Sequence, residues 1–254
     1  LATAAATTHQ RLCWIMLSFV PSGLLVAFTT YLTTDIASVP FLWVMPLALF
    51  LATFIIVFRD PPLVPVRALG ALLPLIAAVA YASMIAIAIV PFWFVGVAGL
   101  AAFLAISLVC HRTLYERRPA ATHLTEFYLW MSFGGVLGGM FSALAAPYLF
   151  TSIFEFPLLI LAGVLIQPRL MSIRRWQRQG RHFALIAGGS IAALLAIDAA
   201  GAAGLLPVGR KDGLIVALLG LAIAVVWRRR PMHQAAVVAL ALAATVLPGD
   251  SAVK

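Results

Sequence analysis

The sequence predicts an all-α fold, a polytopic transmembrane helical bundle of about nine spans, and three observations lead to it. The 254 residues are 64% hydrophobic and only 10% charged, with a mean hydropathy of +1.08, far more apolar than a water-soluble domain. Apolar runs close to the roughly 20 residues that cross a bilayer as a helix recur along the chain. The basic residues lie mostly in the short segments between these runs. Residues 1–254 are therefore predicted to form one transmembrane helical domain.

The spans are predicted as helices because backbone polar groups inside a bilayer must be satisfied within their own segment. A β-barrel would show segments of about ten residues with a polar inward face, whereas residues 72–90 and 213–227 are apolar all round. Charged and proline-rich breaks divide the chain into nine predicted spans. They are residues 12–33, 40–58, 68–89, 92–110, 127–149, 153–167, 183–206, 213–227 and 232–248.

The charge distribution predicts how these spans are oriented. With a cytoplasmic N-terminus, fourteen basic residues fall on inner segments and only three, Arg210, Lys211 and Lys254, fall on outer ones. Short cytoplasmic loops carry an excess of Arg and Lys, so the N-terminus is predicted inside and Lys254 outside. This orientation accounts for the net charge of +9. The expected partner is therefore the lipid bilayer, and no nucleic acid is predicted.

Two arginine clusters lie on predicted inner segments, one after the sixth span and one after the eighth. Orientation by the positive-inside rule explains their sign. Basic side chains at this position also attract anionic lipid head groups. The residues predicted to make these contacts are Arg174, Arg175, Arg178, Arg228, Arg229 and Arg230.

A glycine-rich stretch in the fifth span predicts close helix packing. Glycines four residues apart share one face of a helix and let a neighbouring helix approach closely. Gly135 and Gly139 are expected to lie against another helix. A phosphate-binding loop would have to follow a strand at an aqueous surface, which a position within a span excludes. The full predicted packing set is Gly134, Gly135, Gly138 and Gly139.

Three carboxylates fall near the predicted outer ends of spans. Asp35 follows the first span, Glu155 begins the sixth, and Asp198 lies in the seventh. Acidic residues in apolar spans are costly and tend to face an interior or a cavity, so one hypothesis is that the three bind a cation. The alternative is that each is a local feature, solvated, part of a helix cap, or paired with Arg210 or Lys211.

No catalytic site, cofactor or metal centre is predicted. Cys110, His111 and His123 flank one inner segment, but their order matches no zinc-ligand spacing. Nothing resembles a nucleophile with its base, a Walker loop or a dinucleotide fingerprint. Cys13 and Cys110 lie far apart in or beside apolar runs, so no disulfide framework or CxxC site is implied.

Three stretches carry a resemblance to a known family. They are residues 19–24 (FVPSGL), residues 33–49 (TTDIASVPFLWVMPLAL) and residues 123–141. The chain resembles the bacterial multi-pass proteins in which a major-facilitator-type membrane region is fused to a spermidine-synthase-like domain. The resemblance implies a globular aminopropyltransferase-like domain after Lys254, and the end of the chain soon after an apolar run is expected to mark part of a longer protein.

The functional expectation is a non-catalytic membrane region that anchors or scaffolds such a fused protein in the bacterial inner membrane. It is expected to serve as one subunit of a larger complex of membrane proteins. The alternative is a transporter or binding protein for cations or polyamines that uses the outer carboxylates. An enzyme would need a domain beyond Lys254.

Overall fold

The computed structural model describes residues 6–36, 43–59, 66–85, 90–149 and 155–166. Every regular element within these ranges is a helix, in agreement with the predicted all-α fold. The predicted spans at 183–206, 213–227 and 232–248 lie outside the described residues. The α-helices are α1 (Thr8–Tyr31), α2 (Val44–Val57), α3 (Val66–Ile85), α4 (Phe92–Glu116), α5 (Leu124–Met140), α6 (Ala146–Leu149) and α7 (Glu155–Leu165). A 3₁₀ turn (Ala121–His123) leads into α5, and π-helical turns extend α1 (Leu32–Ile36) and join α5 to α6 (Phe141–Ala145).

Each of the first six predicted spans coincides with a helical stretch, but the stretches differ in length. At about 1.5 Å per residue, the 24 residues of α1 extend about 36 Å, whereas the 14 residues of α2 extend only about 21 Å. A bilayer core is about 30 Å thick. Among the described residues, three helical stretches are long and apolar enough to cross it: Thr8–Thr34, Phe92–Glu116 and Ala121–Leu149. The count of nine spans stays a prediction.

The described helices belong to two compact units, and the boundary cuts α3 and α4. The described residues up to Leu73 and from Leu100 onward form the first unit, and those in Pro74–Gly99 belong to the second. In the second unit Ala77, Ala80 and Tyr81 are buried along one stretch of α3. The functional features below all lie in the first unit.

Helix α1 is the central helix of the first unit. It begins with a capping box. The Gln10 backbone N–H donates to Thr7 Oγ1 at 3.3 Å, and the Thr7 backbone N–H donates to Gln10 Oε1 at 2.8 Å. From there the helix packs on α2, α5 and α7, most extensively on α5. Because α1 is surrounded in this way, half of its residues are buried, including Pro21 and Gly23 in mid-helix.

Aromatic rings fill the interior between α1, α4 and α7. Phe28 lies with its ring centroid 5.9 Å from that of Phe103 on α4 and 5.3 Å from that of Phe156 on α7. Tyr31 stacks on the same Phe156 ring at 5.4 Å. Rings of this size bury large apolar areas and favour such offset contacts, so this cluster holds the C-terminal half of α1 against the start of α7.

Several helix ends meet at one end of the first unit. The Trp14 indole Nε1 donates to the Arg117 carbonyl at 3.3 Å, which joins the first turns of α1 to the end of α4. Arg11 Nε lies 2.7 Å from Glu126 Oε1 in the first turn of α5. The starts of α1 and α5 and the end of α4 therefore lie together, and we call this the basic end.

Helix α2 also ends at the basic end. Arg112 Nη1 donates to the Val57 carbonyl at 3.4 Å, and the Phe58 and Tyr115 rings lie edge to face at 5.2 Å. The ends of α2 and α4 therefore lie side by side. Tyr31 at the end of α1 stacks on Phe156 at the start of α7, so α1 and α7 meet at the opposite end of the unit.

Candidate functional site

The most extensive helix contact in the described residues is a seam between α1 and α5. A methyl group on Gly134 would overlap the Ile15 carbonyl oxygen and lie 2.7 Å from the Ile15 Cα. A methyl group on Gly138 would overlap the Phe19 carbonyl oxygen and lie 3.0 Å from the Gly23 nitrogen. The methyl group on Gly134 would also overlap the Ser18 hydroxyl, but in both cases it meets backbone atoms, which have little freedom to move aside. Only glycine fits at these two positions.

The other two predicted packing glycines lie at the margin of this seam. A methyl group on Gly135 or Gly139 would meet only the Ser22 hydroxyl, at 4.0 and 3.8 Å, which is ordinary van der Waals contact. The four glycines thus lie toward α1, but Gly134 and Gly138 make the backbone contact and their neighbours flank it. The sequence pattern alone does not distinguish the two overlapping pairs.

Two serine hydroxyls bond the same helices together. Ser22 Oγ on α1 donates to the Gly135 carbonyl at 2.7 Å. Ser142 Oγ, in the π-helical turn after α5, donates back to the Gly23 carbonyl at 3.0 Å. Interhelical hydrogen bonds of this kind stabilise helix pairs in an apolar medium. The glycine gap and the reciprocal serine bonds therefore act on the same stretch of the two helices.

An ion pair links α1 and α5 at the basic end. The side chains of Arg11 and Glu126, with their 2.7 Å contact, are 37% and 25% exposed, so water reaches both. The Arg11 guanidinium also lies 5.8 Å from the centre of the Trp130 ring, within the range of cation–π attraction. The pair extends the seam to the start of both helices.

A cleft of about 410 Å³ opens beside this ion pair. The first turns of α1, including Trp14, form one wall, and the end of α4 with the following turn forms the other. Its polar lining is mainly basic or neutral, and Glu116 is bonded by Arg112 at 3.0 Å. The lining residues are Ala6, Gln10, Cys13, Trp14, Glu116, Arg117, Arg118, Pro119 and His123.

A buried histidine joins α4 to α2. The His111 Nδ1 lies 2.8 Å from Thr53 Oγ1, and both residues are 1% exposed. Thr53 Oγ1 also lies 2.6 Å from the Phe50 carbonyl oxygen, which accepts its single hydrogen. The imidazole must then donate from Nδ1 to the threonine. The ring is stacked on Phe54 at 3.9 Å, so the tautomer and the orientation are both set.

Of the three predicted cation-binding carboxylates, the structure describes one side chain, that of Glu155. It begins α7, is buried, and makes its own contacts there. The backbone of Asp35 belongs to the π-helical turn after α1, while its side chain and all of Asp198 lie outside the described residues. Because Tyr31 stacks on Phe156, Glu155 and the Asp35 backbone share the opposite end of the unit. Whether the carboxylates converge stays a prediction.

The predicted lipid-contacting arginines lie outside the part of the chain that the structure describes. They are Arg174, Arg175, Arg178, Arg228, Arg229 and Arg230. Among the described residues, no three side chains of the His, Cys, Asp and Glu types come together as metal ligands. Cys13 and Cys110 are both free thiols and both buried.

Sequence analysis missed two features that depend on contacts between distant segments. The pairing of His111 with Thr53 joins positions 58 residues apart, and the cleft joins the start of α1 to the end of α4. In the sequence, Arg117 and Arg118 form a basic turn after a predicted span, which indicates orientation but no cleft.

The described geometry defines an apolar helical bundle. Two of its buried hydroxyls, on Thr53 and Ser142, bond a neighbouring helix, whereas those of Ser18, Ser83 and Thr113 bond carbonyls of their own helix. No protein-family model, curated protein or solved structure matches the chain.

Proposed function

We propose that this chain is a membrane-embedded anchoring and scaffolding region in a bacterial inner membrane. In this role it is the membrane part of a fused protein like the spermidine-synthase-like multi-pass proteins that the sequence resembles. It holds a globular domain or partner subunits at the bilayer and performs no chemistry itself. Three helices able to cross a bilayer and a broad apolar outer surface on α5, including Leu129 and Val136, support the membrane location.

The scaffolding proposal rests on polar side chains inside the first unit that form hydrogen bonds between neighbouring helices. The hydroxyls of Ser22 and Ser142 reach across to the backbone of the neighbouring helix, and Thr53 reaches His111 on another helix. A transport path needs polar groups that converge on a cavity near the midplane, often at broken helices. Polar groups that join helices instead favour a rigid support.

The proposed topology has nine spans, a cytoplasmic N-terminus and Lys254 outside. It is supported by the arrangement of helix ends in the first unit. Four crossings by α1 to α4 would return the end of α4 to the side where α1 begins, and Trp14 does contact Arg117. The same end holds Arg11 and Arg112, in keeping with the positive-inside rule.

The anchoring role is tested with a fluorescent protein fused after Lys254 in the bacterial inner membrane. We expect the fusion to stay in the membrane pellet after alkaline carbonate washing, because several apolar helices hold it there. The purified chain, reconstituted in proteoliposomes, should take up no more radiolabelled spermidine than empty liposomes. Release of the fusion by carbonate would contradict the anchoring role.

A second candidate, a cation or polyamine transporter, is favoured by one observation. Glu155 is buried at 6% exposure at the end of the unit that also holds the Asp35 backbone, and an acidic group in an apolar surrounding is retained mainly for function. Spermidine uptake that is lost in Glu155→Gln but retained in the matched Glu116→Gln, an exposed carboxylate on the other end, would favour the transporter. The scaffolding proposal would then fail.

A further inference from the structure

The cleft at the basic end has more positive charge than its surroundings neutralise. Glu116 is its one acidic lining residue, and Arg112 already bonds that carboxylate. Within the described residues, neither Arg117 nor Arg118 forms an ion pair. The cleft is therefore lined by two arginines without a fixed counter-charge.

The start of α1 adds to this positive potential. Ala6 and Gln10 line the cleft on either side of the first helical residue, so the N-terminal end of a 24-residue helix faces it. The first turn of α1 contains no acidic residue that would offset the positive end of the helix dipole. Helix α4 ends at Glu116 on the other wall, and Arg117 and Arg118 follow its C-terminal end directly.

The arginines are also held in position for a ligand. The Arg118 guanidinium lies 4.0 Å from the centre of the Tyr115 ring, a contact that orients its planar face. The Trp14 indole donates to the Arg117 carbonyl, which holds the backbone of Arg117 against α1. Planar guanidinium groups match phosphate oxygens through paired N–H donors.

The geometry points to a binding site for a phosphate group in this cleft, with Arg117 and Arg118 as its ligands. A volume of about 410 Å³ accommodates a phosphodiester with its adjoining glycerol. The cleft lies at the ends of helices long enough to cross a bilayer, and anionic lipid head groups attract basic side chains next to such ends. The phosphate comes from an anionic phospholipid head group or from free phosphate in solution, and the two sources share the same chemistry. The site does not depend on the scaffolding role.

The test is a titration of the full purified chain in a neutral detergent, followed by native mass spectrometry. Dioleoyl phosphatidylglycerol is the lipid probe, and inorganic phosphate is added as competitor against chloride at equal ionic strength. We expect a saturable lipid adduct that weakens about tenfold in Arg117→Gln and again in Arg118→Gln, since each removes a charged hydrogen-bond donor set. Displacement by inorganic phosphate assigns the site to free phosphate, and resistance to it assigns the site to the lipid.

Arg59→Gln is the matched control, because it removes one exposed arginine outside the cleft, at the end of α2. Equal weakening in this variant would mean general attraction to basic surface and would overturn the site. Unchanged binding in the Arg117→Gln/Arg118→Gln double variant would also overturn it. So would equally tight, arginine-dependent binding of oleate, a carboxylate anion. If Arg118→Gln disturbs folding by losing the Tyr115 contact, Arg117→Gln alone decides the outcome.

Discussion

At the scale of single residues, the interior of the first unit tolerates polar groups where each has a partner. His111 and Thr53 are buried to the same degree and satisfy one another, with the threonine hydrogen used on the Phe50 carbonyl. A buried donor without a partner lowers the free energy of unfolding by more than a formed hydrogen bond raises it. Ser107 is an exception among the described residues, since its hydroxyl is buried without a hydrogen-bond partner.

The first prediction concerns Thr53→Val, which keeps the side-chain shape and removes the acceptor for the His111 N–H. We expect a loss of about 1–2 kcal/mol in the free energy of unfolding, because a buried donor is left unsatisfied. Thr53→Ser retains the hydroxyl and should lose much less. The measurement is unfolding in mixed detergent micelles as the fraction of denaturing detergent rises.

A double-mutant cycle separates this bond from simple packing changes. The Thr53→Val/His111→Phe variant removes both partners and should be less destabilised than the two single variants added together. The phenyl ring replaces the imidazole against Phe54 and leaves no donor behind. Strictly additive losses would mean that the hydrogen bond contributes nothing to stability.

At the scale of secondary-structure elements, the α1–α5 seam is formed by backbone approaching backbone. Gly134 and Gly138 permit that approach, and the serines at 22 and 142 bond across it. Pro21 lies in the same stretch of α1 and removes one backbone donor from the helix. In the seam, therefore, α1 lacks one of its own backbone hydrogen bonds but packs closely against α5.

The second prediction compares two alanine substitutions on neighbouring glycines of α5. Gly138→Ala should destabilise the chain by about 1–3 kcal/mol, because the added methyl overlaps the Phe19 carbonyl and the backbone must move. Gly139→Ala places its methyl 3.8 Å from the Ser22 hydroxyl and should be neutral or slightly stabilising, since alanine favours helix. Thermal unfolding in detergent measures both. Equal effects in the two variants would contradict the seam as described.

The third prediction concerns the Arg11–Glu126 ion pair between the same helices. Because water reaches both side chains, Glu126→Gln should lower the free energy of unfolding by no more than about 1 kcal/mol. Arg11→Glu should cost more, because two carboxylates then face each other. The exchange variant Arg11→Glu/Glu126→Arg restores the opposite charges and should recover part of the loss. An exchange variant no more stable than Arg11→Glu would show that the pair does not form.

At the scale of the whole molecule, the arrangement of helix ends bears on how the chain crosses the membrane. In the first unit the starts of α1 and α5 lie with the ends of α2 and α4, while the end of α1 lies with the start of α7. Helices that cross in alternating directions produce this pattern. Only three helical stretches among the described residues are long and apolar enough to cross a bilayer, so the nine-span topology stays a prediction.

The fourth prediction tests this topology by cysteine labelling in a chain whose own thiols, Cys13 and Cys110, are replaced by serine. An impermeant thiol reagent added to intact cells should label Tyr148→Cys, an exposed position at the end of α6. Arg59→Cys and Arg118→Cys should be labelled only after the membrane is opened, because the basic end is predicted inside.

Reporter fusions extend the same test to the rest of the chain. A reporter after Arg178 should give a cytoplasmic signal and one after Lys254 an outer signal. A cytoplasmic signal at Lys254 would contradict the count of nine spans. Labelling of Arg59→Cys and Tyr148→Cys from the same side would contradict the arrangement within the first unit.

Parts of the candidate sites were open to prediction and parts were not. The glycine repeat in α5 indicated close packing from spacing alone, because residues four apart share a helix face. The choice of Gly134 and Gly138 as the contact pair depends on the rotation of α5 against α1, which the spacing leaves open. The cleft is formed by segments more than 100 residues apart. Which basic turn lies against which helix cannot be predicted from a single sequence.

By itself the sequence determined that the described chain is helical and that several helices are apolar enough to cross a bilayer. Both follow from the length and composition of continuous segments. A segment that crosses a bilayer must be apolar over about 20 residues, and its backbone must form hydrogen bonds within the segment. Only the tertiary structure decided that Arg11 pairs with Glu126, that His111 bonds Thr53, and that two arginines border a cleft without a counter-charge. These contacts depend on the rotation and register of packed helices, which are set by side chains meeting in space rather than by any one segment.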